Sequence, residues 1–175
     1  MAGAGSGAGP GTAMDHESYS DAYIRDILHS VKVVAMVGAS ANWNRPSYFA
    51  MKYMQEKGYR VIPVNPKEAA AGTVILGEPA VASLDDIDVP VDMVDCFRNS
   101  EAIPPIADDA IRIGAKVLWL QLGVRNDAAA AKAEAAGLKV VMNRCPKIEY
   151  GRLSGEIGWF GVNTGVISSR RKRVV

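Results

Sequence analysis

Histidine is almost missing from this sequence: His16 and His29 are the two in 175 residues, and both precede the first long apolar run. Histidine is the side chain most used for proton transfer near neutral pH, so mechanisms built on a histidine base have little to work with. Cysteine is as scarce. Cys96 and Cys145 are too few for a disulfide framework or a cysteine-rich zinc site, and no histidine accompanies either to form a dyad. No H-E-x-x-H pattern or carboxylate cluster signals a metal centre. The P-loop pattern is absent, which removes the usual equipment for nucleoside triphosphate hydrolysis. No apolar run approaches the ~20 residues needed to cross a bilayer; the longest candidate, 117–124, is strand-sized and contains Gln121 and Gly123. A strong excess of one charge is missing too, with 20 basic against 19 acidic residues. Four of the basic ones, Arg170, Arg171, Lys172 and Arg173, sit in a terminal run, and without them the body is slightly acidic. Such a surface does not suit nucleic acid, and the run reads as a solvated tail. The expectation is a cytoplasmic protein with neither a nucleic-acid nor a membrane partner.

What is present is ample apolar residue, 49% of the chain, enough to bury a core. Residues 1–14, rich in Gly and Ala and without a charged side chain, lack the basic start and apolar block of a secretory signal and read as a flexible leader or cloning remnant. Residues 19–153 read as one folded domain and 154–175 as a C-terminal extension with the basic tail. Within that extension Trp159 and Phe160 either fold back on the domain or pack on another chain, as a homodimer or with a partner subunit.

The domain repeats one phrase: a helical pattern, a glycine, one basic residue and an apolar run. Gly58-Tyr59-Arg60-Val61, Gly114-Ala115-Lys116-Val117 and Gly137-Leu138-Lys139-Val140 carry it. Glycine suits a helix end because the following residue often takes a left-handed conformation. The strand candidates are 31–37, 60–64, 91–97, 117–122 and 138–142, apolar throughout rather than alternating, as expected when both faces of a sheet are covered. A short strand at 73–76, a short helix at 83–87 and an amphipathic helix over 19–30 complete the pattern. Strands alternating with helices predict a doubly wound, parallel α/β sheet, Rossmann-like, with helices on both faces.

Ligands of such sheets bind outside the carboxyl ends of the strands. The segments there are Gly38-Ala39-Ser40-Ala41-Asn42-Trp43-Asn44-Arg45-Pro46-Ser47, Asn65-Pro66-Lys67, Phe97-Arg98-Asn99-Ser100, Gln121-Leu122-Gly123-Val124-Arg125 and Asn143-Arg144-Cys145-Pro146-Lys147. They hold cations, amides and small residues. Arg45, Lys67, Arg98, Arg125, Arg144 and Lys147 all follow a strand closely, while carboxylates are missing from all five segments. Together with helix N-termini, such a rim suits a nucleotide diphosphate. The G-x-G-x-x-G fingerprint is only begun by Gly38. The second strand ends in Asn65 and Lys67 instead of the acid that binds the ribose of NAD, which favours a phosphorylated ribose, as in NADP or coenzyme A.

At these residues the sequence resembles the small CoA-binding domain proteins, relatives of the N-terminal domain of the succinyl-CoA synthetase α subunit. The matching stretches are VAMVGAS, RPSYFAMKYMQEKGYRVIPVNPK, LGEPAVASLDDI, VDMVDCFRNSEAIP, GAKVLWLQLGV and AGLKVVMNRCPKIEYGRL. The resemblance implies coenzyme A, free or acylated, lying across the strand ends. Gly38, Ala39 and Ser40 then correspond to a phosphate-contacting loop, and Lys67 to a basic residue near the adenosine phosphates. Phe97, Arg98, Leu122 and Gly123 correspond to loops along the adenine and pantetheine path. Asn143, Arg144, Cys145 and Pro146 correspond to the last ligand loop, with Arg144 where the synthetase has a small residue. The histidine that the synthetase phosphorylates has no counterpart here, so the resemblance implies binding without ligase activity. Two other readings of the residues are an NADP-linked oxidoreductase and a scaffolding subunit of a larger acyl-CoA ligase-like complex.

Overall fold

Five short apolar runs form the sheet because each can bury both of its faces. In the computed structural model, which describes residues 14–155, they are β1 (Val33–Val37), β2 (Arg60–Val64), β5 (Met93–Cys96), β6 (Val117–Leu120) and β7 (Lys139–Val141). Two further strands, β3 (Val74–Ile75) and β4 (Glu78–Pro79), make a small antiparallel hairpin. The large sheet has the order β2-β1-β5-β6-β7 and is parallel throughout. The chain therefore leaves β1 for β2 on one side and returns to β5 on the other, so the connections diverge at the carboxyl ends of β1 and β5. The main strands are shorter than their apolar runs: Val31 and Val91 are buried but precede the ladder.

Among the described residues six α-helices precede, join or follow these strands: α1 (Asp21–Ser30), α2 (Pro46–Glu56), α3 (Pro66–Ala70), α4 (Ile103–Arg112), α5 (Asp127–Ala135) and α6 (Pro146–Leu153). One face of the sheet packs Val34, Met36, Met93, Trp119 and Val141 against Ile24 and Ile27 of α1 and Met51 and Met54 of α2. The opposite face packs Val94, Cys96, Leu118 and Leu120 against the small residues Ala107 and Ala110 of α4 and Ala129, Ala130 and Ala133 of α5. Alanine on those helices brings them close to the sheet. The helix ends follow local chemistry. Ser20 and Asn126 cap α1 and α5 through their side-chain oxygens, and prolines open α2, α4 and α6. Gly58, Gly114 and Gly137 all have positive φ, as their place after a helix requires.

His16 is buried, with Nδ1 2.8 Å from the Tyr19 hydroxyl and Nε2 3.0 Å from Glu134. The stretch 83–87 is a single 3-10 turn, Leu84–Asp86. Trp159, Phe160, the basic run 170–173 and most of the leader lie outside the described residues. No helix among the described residues is long and apolar enough to cross a membrane.

Candidate functional site at the carboxyl edge

The carboxyl ends of β1 and β5 nearly touch. Gly38 follows β1 at φ 84°, and a Cβ there would stand 2.5 Å from the Phe97 carbonyl oxygen and 3.0 Å from the Arg98 side chain. The Phe97 N–H donates to the Val37 carbonyl at 2.8 Å, and the Gly38 N–H to the Val64 carbonyl at 2.9 Å. Only a residue without a side chain closes the strands this tightly.

Two clefts open on either side of that crossing. The larger, about 820 Å³, lies between the N-termini of α2 and α6 and is lined by Ser40, Arg45, Ser47, Gln121, Cys145 and Lys147, among others. Phe49, Ala50, Phe97, Leu122, Val124 and Ile148 give it an apolar wall. The smaller, about 320 Å³, lies by the end of β2 and is lined by Asn65, Pro66, Ser83, Leu84, Ile106 and Asp109. Gly38 and Arg98 belong to both. The clefts thus adjoin, with a cation where they meet.

The loop after β1 is held by its own polar groups. The Ser40 N–H donates to the Ser47 hydroxyl at 3.2 Å, the Asn42 N–H to the Ser40 hydroxyl at 3.2 Å, and the Ala41 N–H to Glu68 at 3.1 Å. Asn65 caps α3 by accepting from the Lys67 N–H at 3.0 Å, and its Nδ2 donates to the Ala39 carbonyl at 2.8 Å, tying the loops after β1 and β2 together.

The expected site residues divide accordingly. Gly38, Ser40, Arg45, Pro46, Ser47, Phe97, Arg98, Leu122 and Cys145 come together around the larger cleft, and Asn65 and Pro66 around the smaller. Ala39, Asn42, Lys67, Gly123, Asn143 and Arg144 line neither cleft. Ala39 is buried, whereas Asn42 and Lys67 are exposed. Asn143, in a left-handed conformation at φ 56°, accepts the Gly123 N–H at 2.7 Å, so this pair fixes the loops after β6 and β7. Arg144 turns to the N-terminal segment: Nη2 donates to the Glu17 carbonyl at 3.2 Å, and the guanidinium lies 5.4 Å from the Tyr19 ring centre. Arg125 does likewise, pairing with Glu17 at 2.5 Å and Asp127 at 3.1 Å. The six-cation rim read from the sequence becomes three cations lining the groove: Arg45, Arg98 and Lys147.

A carboxylate does lie at this edge. Asp95, one residue before the end of β5, is wholly buried and accepts a hydrogen bond from Gln121 Nε2 at 2.7 Å. Burial pushes its carboxyl up to about 7, and the Gln121 bond only partly opposes that. Cys145, at the N-cap of α6, is also raised by burial; the Ile148 and Lys147 N–H groups pull it down, and the charge of Asp95 adds to the rise. A signal for Asp95 was there to be read, since a lone acid inside the apolar run Met93-Val94-Asp95-Cys96 is expensive unless used. Of the strand-end segments, Gln121 and Lys147 also line the larger cleft, and Phe49 of α2, outside those segments, joins them. Neither histidine lines either of these two clefts, and among the described residues no three or more His, Cys, Asp or Glu side chains are grouped to hold a metal.

Comparison with known proteins places this geometry. YneT of Bacillus subtilis (strain 168) is 40% identical over 131 residues, covering 75% of this chain and 94% of YneT. A hypothetical protein of Pyrococcus horikoshii OT3 has a solved structure with a TM-score of 0.74 and 40% identity, covering 78% of this chain and 94% of its own. The dinucleotide-forming acetyl-coenzyme A synthetase 1 of Ca. Korarchaeum cryptofilum shares the fold at a TM-score of 0.53 and 19% identity, over 62% of this chain and 25% of the synthetase. The model of the CoA binding domain matches residues 32–151, from the start of the sheet to α6 and including both clefts, and the chain belongs to that family.

Proposed function

We propose that the chain binds coenzyme A, as the free thiol or an acyl thioester, along the two joined clefts and catalyses no reaction by itself. The observation that carries this reading is the shared position of Gly38 and Arg98 at the strand-switch point, where one extended ligand can occupy both halves of the groove. Adenosine fits the smaller half beside Asn65, and the exposed Lys67, next to Pro66 at the start of α3, neutralises the ribose phosphate. The diphosphate crosses at Gly38–Ser40, near Arg98, Arg45 and the N-terminal turn of α2 that begins at Pro46 and Ser47. Pantetheine then extends through the larger half past Phe97 and Leu122 toward Cys145. Exposed Phe49 and Leu122 at its mouth provide apolar surface for an acyl group. The cleft residues hold a ligand more readily than they transform one, since the Cys145 thiol is raised by burial and both histidines lie elsewhere. Two free cysteines fit a reducing compartment, the cytoplasm.

Thermal-shift titration with coenzyme A, dephospho-coenzyme A and NADP tests this. Coenzyme A should give the largest stabilisation, about 2.7 kcal/mol at one hundred times its Kd. Lys67→Glu should weaken coenzyme A more than dephospho-coenzyme A. Equal shifts for all three ligands would overturn the assignment.

A further inference from the structure

Asp95 stands where a carboxylate has least reason to be. It lies in β5, the middle strand, paired with Met36 of β1 and Trp119 of β6, and all three are wholly buried. One carboxylate oxygen takes the Gln121 bond; the other has no hydrogen-bond partner among the described residues. Packing alone would favour an apolar residue, because a buried polar atom without a partner is costly. Gln121 lies two residues beyond Trp119 on the neighbouring strand, so it is the diagonal neighbour of Asp95, and it lines the larger cleft. The carboxamide links the buried acid to the ligand space.

With Nε2 committed to Asp95, the Gln121 carbonyl oxygen Oε1 is the group left to receive a donor. We propose that Gln121 is the specificity residue of the larger cleft, accepting a hydrogen bond from an N–H or S–H group at the pantetheine end of coenzyme A, and that Asp95 is the positioning residue that sets its carboxamide. The inference rests on the coenzyme A reading above. An ionised carboxylate only accepts, so it admits Nε2 and rejects Oε1; a protonated one can donate to Oε1 and releases that preference. A ligand donor polarises the carboxamide and strengthens its bond to the carboxylate.

The groups facing this pair come from each packed element. The Cys145 thiol at the head of α6 is raised in part by the Asp95 charge, as is that of Cys96, which follows Asp95 on β5 but points to the opposite face of the sheet. Met36 and Trp119 on the flanking strands carry no titratable charge, and α2 contributes the buried Ser47 hydroxyl to the cleft. Arg45, Arg98 and Lys147 supply the positive charge at the opening. Burial places the Asp95 carboxyl at about 7, so both of its forms are populated near neutrality. The binding-competent form is the ionised one. Affinity for the pantetheine end therefore falls as pH drops through that value, and binding releases a proton.

Calorimetric titration of the full chain with coenzyme A and with adenosine 3′,5′-bisphosphate, between roughly pH 5.5 and 8.5, decides this. Both ligands carry the same 3′-phosphorylated ribose, so the ratio of their affinities, corrected for the titration of the bisphosphate's own 5′-phosphate at about pH 6, isolates the contribution of the pantetheine arm. That ratio should fall by up to about tenfold per pH unit on the acid side. Asp95→Asn should flatten it, and Gln121→Met should weaken coenzyme A by about tenfold or more while leaving the bisphosphate unchanged. Should Asp95→Asn fail to fold, the wild-type ratio and Gln121→Met still decide the matter. A pH-independent ratio, an unchanged ratio in Asp95→Asn, or full affinity in Gln121→Met overturns the proposal alone. Absence of binding by both ligands at every pH overturns the coenzyme A reading and this one with it.

Discussion

At the scale of single residues, glycines with the same sign of φ do different work. Gly38 and Gly58 both have left-handed backbones, but a Cβ on Gly38 would collide with the Phe97 carbonyl whereas one on Gly58 would meet nothing within 4 Å. Gly58→Ala should lose about 1–2 kcal/mol from its conformation alone and keep its ligand affinity. Gly38→Ala should lose more, because strands β1 and β5 must separate, and should also lose ligand binding. Urea unfolding and calorimetry on the pair check both statements. Asp95 makes a second prediction, on stability. Its carboxyl is raised in the folded state to about 7 from an ordinary 3.8, so the folded chain holds a proton that the unfolded chain releases. The stability contributed by the protonated form is complete below about pH 4 and is lost as pH rises to about 7, by on the order of 2–4 kcal/mol. Asp95→Asn should flatten that part of the stability profile, measured by urea midpoints from roughly pH 4 to 8.

At the scale of elements, the edges of the sheet are closed by local devices. On one side, Val81 bridges Val64 of β2, with the Asn65 N–H donating to the Val81 carbonyl at 2.9 Å. On the other, phenols cover β7: the Tyr23 hydroxyl donates to the Val140 carbonyl and accepts its N–H, both at 3.1 Å, and the Tyr19 hydroxyl accepts the Met142 N–H at 2.8 Å. A bare edge strand invites pairing with another chain. Tyr23→Phe should cost about 1–3 kcal/mol and speed amide exchange at Val140 without changing exchange in β1. Burial also pushes the Tyr23 phenol up to about 12, so wild-type stability should fall as pH rises above about 10, and that loss should shrink in Tyr23→Phe. These edges mark where sequence reading stops. The five strands and the glycine turns were legible because continuous apolar runs and left-handed positions are local signals. The α6 helix was not, since Pro146–Leu153 buries only Pro146, Glu149 and Gly151 and shows little apolar periodicity. The positions of Arg125 and Arg144 after their strands were legible; their directions were not, because they answer to Glu17 and Tyr19, more than a hundred residues earlier.

At the scale of the whole molecule, the sheet order decides what one ligand can touch. The order β2-β1-β5-β6-β7 brings the loops after β1 and β5 together and leaves those after β2 and β6 on opposite sides of them. A groove spanning the edge is therefore divided at Gly38 and Arg98, and side chains in one half do not reach the other. Arg98 is the exception, since its stem packs at the crossing and it lines both halves. Arg98→Ala should weaken coenzyme A and adenosine 3′,5′-bisphosphate by the same factor, about tenfold for one lost charge-assisted contact, and should reduce the salt dependence of both. Phe49→Ala, on a residue confined to the larger half, should weaken coenzyme A alone. Titrations of both ligands at two salt concentrations separate these patterns. A loss confined to one ligand in Arg98→Ala would mean that the two clefts bind separate molecules, and the single extended ligand would have to be abandoned.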